Sequence, residues 1–373
     1  MKQEMEKKIS AVNLYAYIYW GILMTLKGLN LYVSESSPML LLVLASFAVV
    51  KIILDKYSLK EIGIISGLMI YVVIFWYHTG NFTSAFTIVT IIIVSNTNMD
   101  YLCKIAFLIR GLLYAVRVVL AFLGVNLLRQ VIYTNERRRY NLGFSHPNLA
   151  HYEFFVIVIF FFLYKRGKLS DRDYIVILGL NALLYYFTRS RTSFILVTFL
   201  YAFNLLFPVG FRKKVLKKFA SAVYPFLSIA SILLSLLARS VSWFPYLGTF
   251  FSRFLRGNYL IHMGKLSLLG NRLDYDTDNG YVNMICLQGI IIFALFIMSN
   301  TKLTKKCIQI ERWDIVVVLV CIGIHFCMEA FADSILLNPA LIYMSWLIRR
   351  KDFFRLRTLN KNEVVRLHST DIR

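Results

Sequence analysis

The sequence has little charge for its length. Only 17% of its 373 residues are Asp, Glu, Lys or Arg, whereas 58% are hydrophobic and the mean hydropathy is +0.62. A soluble domain of this size carries considerably more charge. Apolar runs close to the ~20 residues needed to cross a bilayer recur along the chain. They do not alternate with period two, which excludes an outer-membrane barrel. The composition therefore predicts an all-α, polytopic integral membrane protein.

Several patterns typical of metal and disulfide sites are missing. The five cysteines form no C-x-x-C pair, and the chain has no H-E-x-x-H motif. We therefore predict that the cysteines are small core residues, and we expect no metal and no other cofactor. There is also no internal repeat, which argues against a transporter built from two related halves.

Twelve membrane spans are predicted from the apolar runs. No soluble domain fits between them, so we expect one membrane domain at 1–348, with one large extracytoplasmic loop at 239–279 and a basic cytoplasmic tail at 349–373. The predicted spans are 10–28, 38–54, 61–77, 83–95, 105–125, 149–164, 174–188, 193–209, 219–238, 280–299, 313–329 and 334–348.

The distribution of basic residues predicts the orientation. If both termini are cytoplasmic, the inner segments hold 28 of the 42 Lys and Arg residues and the outer segments hold 11. Lys and Arg are enriched in cytoplasmic loops, so this bias explains the net charge of +22 without nucleic acid. We therefore predict a multi-pass protein of the cell membrane, in contact with its lipids.

The basic residues of the predicted outer loops are almost all arginine. Ten of the 11 are Arg, whereas Lys outnumbers Arg by 18 to 10 in the inner segments. A guanidinium group is planar and forked, so it can grip two phosphate oxygens at once. The outer face therefore looks suited to an anionic group such as a phosphate or pyrophosphate.

Two of the outer motifs surround the predicted sixth to eighth spans. In residues 136–153, Ser145 or His146 could cap a helix that begins at Pro147. This segment is either a simple turn with solvated arginines at 137–139 or an anion site at a helix N-terminus. In residues 188–194, Arg189 and Arg191 interrupt an apolar stretch, and charge at a membrane boundary is more typical of function than of a plain turn.

Two further groups lie in the large loop and the last spans. The loop carries Arg253 and Arg256 among aromatic residues, either as an amphipathic segment at the interface or as a surface for sugars and phosphate. His325 and Glu329 are spaced i, i+4 and so share one helix face. For this pair we favour a polar network that closes an outer cavity, and we consider a metal site less well supported. Arg117 lies near the middle of a span, so it has to face protein or water.

Five short motifs follow one another along the chain. In order, they are Gly-Phe-Ser-His-Pro-Asn (143–148), Ser-Arg-Thr (190–192), Ser-Arg-Phe (252–254) with Gly257, Leu-Leu-Gly (268–270) and Asp-Asn-Gly-Tyr (278–281) with Gly289. In order and predicted location they resemble the Wzy-type polysaccharide repeat-unit polymerases, relatives of the O-antigen ligases, and most of all those of Gram-positive capsule and exopolysaccharide clusters. The resemblance covers about residues 140–345. The N-terminal spans match only in hydropathy.

The resemblance implies a metal-independent, membrane-embedded glycosyltransferase. Its donor would be a polyprenyl-pyrophosphate-linked oligosaccharide at the outer leaflet, and its acceptor a terminal sugar hydroxyl of another lipid-linked unit. It also implies pathway partners, namely a flippase and a chain-length regulator. The residues themselves fit this chemistry, since Arg can stabilise a pyrophosphate leaving group and a hydroxyl nucleophile needs a base.

The expected roles divide the candidate residues into two sets. The expected catalytic residues are Asp278, Arg191, Arg253 and His146. Contributions to substrate binding are expected from Arg189, Arg256, Arg117, Asn148, Asn279, Tyr281, His325 and Glu329.

Two questions stay open at the level of sequence. Asp278 is the first candidate for the base, with His146 and Glu329 as alternatives, but Asp278 could instead cap the helix that follows it. The related ligases carry a His-Asn pair where this chain has Asp278-Asn279, which favours a polymerase. The competing functions are an O-antigen-ligase-like transfer of finished glycan and a flippase for lipid-linked oligosaccharide.

Overall fold

A computed structural model describes most of the chain. The predictions for the N-terminal segment, for Arg137 and for the tail 349–373 lie outside the described residues, as do Asp274, Asp276 and Asp333. The structure describes residues 11–29, 38–55, 57–125, 130–132, 138–240, 249–263, 266–272, 275, 277–330 and 334–348.

The described chain is mainly helical. Its α-helices are α1 (Ala11–Leu29), α2 (Pro38–Leu54), α3 (Leu59–Thr79), α4 (Phe82–Ile93), α5 (Met99–Phe122), α6 (Pro147–Tyr164), α7 (Asp171–Thr188), α8 (Arg191–Leu206), α9 (Val209–Phe219), α10 (Val223–Leu237), α11 (Thr249–Met263), α12 (Gly280–Asn283), α13 (Gly289–Gln309), α14 (Trp313–Phe326) and α15 (Ser345–Ile348). Short 3₁₀ turns occupy Ala220–Ala222 and Pro339–Met344, and a π-helical turn occupies Met284–Gln288.

Five helical stretches are long and apolar enough to cross a membrane. They are Leu59–Thr79, Met99–Phe122, Pro147–Tyr164, Val209–Leu237 and Gly280–Gln309. Each of the other predicted spans also overlaps a described helix, but these helices are shorter or less apolar. The membrane character is thus supported by length and composition, and the total of about twelve spans stays a prediction.

Two segments differ from the predicted all-α pattern with one open loop. Residues Gln130–Ile132 (β1) and Arg138–Tyr140 (β2) pair as antiparallel strands, with Val131 opposite Arg139. The large loop is also partly helical, because α11 lies within 239–279. Three-residue strands give almost no periodic signal, and α11 is too hydrophilic on average to be found in a search for membrane spans.

The connections between helices gather at two ends of the molecule. At one end, Asp100 at the start of α5 binds Arg166 after α6 at 2.8 Å and Arg312 before α14 at 3.1 Å. At the opposite end, Arg272 donates to the carbonyl of His78 at the end of α3 at 3.0 Å. The predicted topology puts the first set of connections inside and the second set outside. The end that contains Arg272 is therefore called the outer end below, after that prediction.

Helix α6 forms the centre of the helix packing. Pro147 opens it, and 14 of its 18 residues are buried, which explains why the helix is apolar on all sides. Its one acidic residue, Glu153, pairs with Arg110 of α5 at 2.9 Å from Nε, and Arg110 also binds the carbonyl of Leu336. A buried carboxylate needs such a partner, and the pair fixes the N-terminal half of α6 against α5.

The predicted tenth span contains a break between α12 and α13. Along this break the non-helical segment 267–271 runs beside the π-helical turn. Asn271 N donates to Leu287 O at 3.1 Å, and Ile290 N donates to Ser267 O at 3.0 Å. In a membrane, non-helical backbone is tolerated where protein satisfies its polar groups, and segment 267–271 fulfils this requirement.

Two glycines make this close approach of backbones feasible. Gly270 and Gly289 have φ of +88° and +87°. A Cβ on Gly270 would lie 2.2 Å from the carbonyl oxygen of Leu287, and one on Gly289 would lie 2.3 Å from the nitrogen of Gly270. Both glycines are therefore required by backbone contact and by conformation.

We predict that Gly270→Ala and Gly289→Ala each destabilise the folded protein by at least about 2 kcal/mol, because each combines backbone strain with a clash. The measurement is thermal unfolding of the purified protein in detergent. Gly67→Ala is the control, since nothing lies within 4 Å of its added Cβ. Wild-type unfolding temperatures for both variants would contradict the described break.

Candidate active site

The start of α6 places two predicted site residues at the outer end. His146 is the N-cap, and its Nδ1 accepts a hydrogen bond from the backbone nitrogen of Asn148 at 3.1 Å. This confirms one of the two caps that the sequence allowed. The pKa of His146 is lowered, first by desolvation and then by Arg139. The lowered pKa favours the neutral ring, and the cap requires that form because only an unprotonated Nδ1 can accept the hydrogen bond.

A chain of polar contacts joins four side chains from separate parts of the sequence. Arg139 of β2 donates through Nη2 to the side-chain oxygen of Asn148, and Asn148 donates to Glu329 Oε1 at 3.4 Å. Arg253 of α11 donates to the same oxygen of Glu329 at 3.1 Å. We call Arg139, Asn148, Arg253 and Glu329 the outer cluster.

Backbone carbonyls hold both arginines of the outer cluster in place. Arg139 Nε donates to the carbonyl of Thr188, the last residue of α7, at 2.7 Å. Arg253 Nη1 donates to the carbonyl of Met328 in the turn after α14. Each guanidinium is thereby oriented before any ligand arrives, which is the preorganisation that stabilisation of developing charge depends on.

Glu329 has the chemistry of a proton acceptor. Helix α14 ends at Phe326, so Glu329 lies in the turn that follows it, and it is only 7% exposed. Its pKa is raised to about 7, mainly because burial desolvates the carboxylate; Arg253 lowers it and Asp278 raises it. A carboxyl with a pKa near neutrality can exchange a proton at physiological pH, as a general base has to do.

Asp278 lies beside the outer cluster and does not cap α12. The cap is Asn279, whose side chain accepts from Val282 N at 3.4 Å, so the capping role that the sequence allowed for Asp278 is wrong. The side chain of Asp278 is 46% exposed and lies 3.8 Å from Arg256. Asp278 therefore acts on its neighbours through its charge.

Segment 277–279 is tied to α11 at the outer cluster. The hydroxyl of Thr277 donates to the carbonyl of Arg253 at 3.2 Å and accepts from the nitrogen of Asn279 at 3.3 Å. The amide nitrogen Nδ2 of Asn279 is buried and has no hydrogen-bond partner among the described residues. The sequence motif around Asp278 is thus positioned by the same helix that supplies Arg253.

Two predicted binding residues lie deeper, below the outer cluster. The ring of His325 packs on Tyr152 and Phe155, with centroids 4.5 and 5.2 Å away. Tyr281 is fully buried, and its hydroxyl donates to the carbonyl of Gly323 at 3.0 Å. Both side chains are buried between helices, and the structure does not bring either of them into the polar contacts above.

Four predicted arginines lie outside the outer cluster, and one of them is Arg256 beside Asp278. Arg189 is the left-handed C-cap of α7 and packs over Tyr186 at 5.3 Å, while Arg191 is exposed at the first turn of α8. Since Thr188 contacts Arg139, both lie at the rim of the site. Arg117 donates to Gly28 O at 2.7 Å and therefore faces protein, on the side of α5 that contacts α1.

Arg139 is the functional candidate that the sequence did not single out. It belongs to a run of three arginines whose predicted outer location runs against the usual charge bias. That signal applies to the whole run and does not indicate which arginine contributes to the cluster. The strand pairing holds Arg139 against α7, whereas Arg138 stays exposed.

The described part of the chain contains no group of three His, Cys, Asp or Glu side chains arranged to hold a metal ion. The positive charge of the outer cluster comes from Arg139 and Arg253. The outer cluster thus combines oriented cations with one carboxyl of near-neutral pKa, which suits transfer of a group whose leaving part is an anion.

We predict strong energetic coupling between Arg253 and Glu329. Their side chains are 15% and 9% exposed, so water screens the pair weakly. A double-mutant cycle of Arg253→Gln and Glu329→Gln, followed by unfolding in detergent, should give a coupling energy of about 1.5–3 kcal/mol.

The control cycle uses Arg256→Gln and Asp278→Asn, a pair at 3.8 Å with both side chains about half exposed. Such solvent-exposed pairs contribute about 0–1 kcal/mol. Equal coupling energies in the two cycles would contradict the conclusion that burial strengthens the interaction between Arg253 and Glu329.

Comparison of the chain with protein-family models, with curated proteins and with solved structures gives no match.

Proposed function

We propose that this protein polymerises polyprenyl-pyrophosphate-linked oligosaccharide repeat units into a capsular polysaccharide or exopolysaccharide. The observation that carries the proposal is the outer cluster, in which two oriented arginines and a carboxyl of near-neutral pKa meet at one end of a bundle of apolar helices. The order of motifs that resembles the Wzy-type polymerases supports the same activity.

In this proposal the protein crosses the cell membrane about twelve times, with both termini in the cytoplasm. The outer cluster then faces the cell exterior, where flipped lipid-linked units are found. The excess of Lys and Arg in the opposite set of connections supports this orientation. A flippase and a chain-length regulator of the same pathway would be its partners.

The arginines would stabilise the leaving group. As the bond between the anomeric carbon and the pyrophosphate oxygen breaks, negative charge grows on polyprenyl pyrophosphate. Arg139 and Arg253 are held by carbonyls and side chains at the outer cluster, so they can meet this charge without reorganising. Arg189, Arg191 and Arg256 are exposed around the site and would attract the anionic substrate.

Glu329 would act as the base. It takes the proton of the acceptor sugar hydroxyl while that oxygen forms the new bond to the anomeric carbon, and polyprenyl pyrophosphate departs with the electron pair of the broken bond. Glu329 suits this step better than Asp278, because its pKa is about 7 whereas Asp278 is half exposed. Asp278 would tune the site, since its negative charge raises the pKa of Glu329.

We predict that polymerisation rises with pH through about 7, because Glu329 has to be ionised to accept a proton. Glu329→Gln should remove activity while the protein still folds. Asp278→Asn should keep activity and shift the profile to lower pH, since loss of the Asp278 charge lowers the pKa of Glu329. The measurement is the pH dependence of glycan elongation by purified variants. An active Glu329→Gln enzyme would exclude Glu329 as the base.

Deletion of the gene, followed by sizing of lipid-linked glycan, tests the function. Loss of a polymerase leaves single repeat units at the outer leaflet. Long glycan that stays attached to its lipid would indicate a ligase, and single units at the inner leaflet would indicate a flippase.

Complementation of the deletion adds a matched pair of variants. Arg256→Lys should restore polymer, because Arg256 is exposed and lies 3.8 Å from Asp278. Arg253→Lys should restore at most about 1% of the elongation rate at equal protein level, since Lys keeps the charge and loses the fork.

A further inference from the structure

An apolar pocket with a cavity volume of about 180 Å³ lies between α3, α4, α13 and the last helical segment. Its walls include Leu68, Ile88, Ile292, Leu295 and Leu347, and no Asp, Glu, Lys or Arg is among the described residues that line it. A cavity of this size holds a small apolar group, such as part of a hydrocarbon chain. Its composition selects an uncharged, apolar occupant.

The open side of the pocket faces the region that a bilayer would occupy. Leu295 of α13 is 37% exposed and Leu68 of α3 is partly exposed. Both helices are among those long and apolar enough to cross a membrane. An occupant can therefore enter sideways from the hydrocarbon region, as a lipid chain would.

The polar end of the pocket points toward the outer end of the molecule. Ser84, in the first turn of α4, donates to Gln288 of the π-helical turn at 2.8 Å, and both side chains line the pocket. Thr87 and Ser299 also line the pocket, and the rest of its wall is apolar down to Leu347 and Ile348. The pocket is thus elongated along the helices, with the hydrogen-bonded Ser84–Gln288 pair at its outer end.

Two segments connect the pocket to the outer cluster. Helix α12 begins after Asn279, beside the cluster, and the π-helical turn that follows it lines the pocket at Met284, about 8 Å farther along a helix axis. On the other side, the nitrogen of Ile335 donates to Thr87 of the pocket wall at 3.1 Å. The pocket and the outer cluster are therefore close neighbours along the helices.

We infer that this pocket binds the isoprenoid chain of the lipid-linked substrate while its pyrophosphate lies at the outer cluster. The inference rests on the proposed function, which supplies a ligand with an anionic head and a long branched hydrocarbon tail. The arginines of the outer cluster would bind the anionic head. The apolar lining of the pocket would bury the tail, which can enter through the opening to the membrane. The break between α12 and α13 forms the wall that joins the two.

A photoactivatable probe tests the inference directly. Purified protein in phosphatidylcholine nanodiscs is irradiated with polyprenyl phosphate that carries a diazirine on its chain, and labelled peptides are mapped by mass spectrometry. We expect labels on α3 and α13 at the pocket. Leu295→Trp fills the opening and should lower this labelling at least about fivefold, because displaced methylene groups lose their burial.

Met298→Trp is the matched control, because Met298 lies on the same helix, is 49% exposed and does not line the pocket. Its labelling should equal that of the wild type. Excess unlabelled polyprenyl phosphate should compete with the probe. Equal labelling of the pocket by phosphatidylcholine with a diazirine on its acyl chain, insensitive to polyprenyl phosphate, would overturn the inference.

The assay separates this inference from the proposed function, since labelling requires binding and no glycan transfer. Polymer formation by a protein that shows no pocket labelling would refute the pocket alone. Specific labelling of a protein that forms no polymer from any lipid-linked unit would support the pocket for isoprenoid chains and refute the polymerase.

Discussion

The buried carboxyl of Glu329 is the group on which the arrangement of the outer end depends. A carboxylate taken out of water needs a partner, and removal of one member of a buried pair costs on the order of 3–5 kcal/mol. Here the partners come from far along the chain, Arg253 from α11 and Asn148 from α6. One acceptor oxygen thereby holds two helices and the turn after α14 together, and Arg139 joins them to α7 through Asn148 and Thr188.

The second constraint is the need to satisfy backbone polar groups at membrane depth. The break at Met284–Gln288 meets it by pairing with segment 267–271, which is possible because Gly270 and Gly289 allow close contact. This places Asn279 at the outer cluster and Gln288 at the apolar pocket on one interrupted helical stretch. The polar and apolar parts of the proposed substrate site are thus linked by a local departure from regular helix.

The parts of the candidate site that leave a local signal could be predicted from the sequence. Apolar runs predicted the helices, and His146 before Pro147 predicted a helix cap. The scarcity of lysine in the predicted outer loops indicated that their arginines bind an anionic group. The choice of Arg139 within its run, the cap at Asn279 and the raised pKa of Glu329 depend on which segments meet in space, so they could not be read from spacing. The glycines at 270 and 289 stood out in the sequence as motif residues, and only the pairing of the two segments explains them.

Reconstitution tests whether the protein itself polymerises lipid-linked repeat units. The purified protein is placed in liposomes with one defined polyprenyl-pyrophosphate-linked repeat unit as the only substrate, and glycan length and free polyprenyl pyrophosphate are measured together. We expect a ladder of glycans with one polyprenyl pyrophosphate released per added unit, and neither product from the Glu329→Gln variant. A folded wild-type protein that releases no polyprenyl pyrophosphate and extends no glycan from its matching repeat unit would contradict the account.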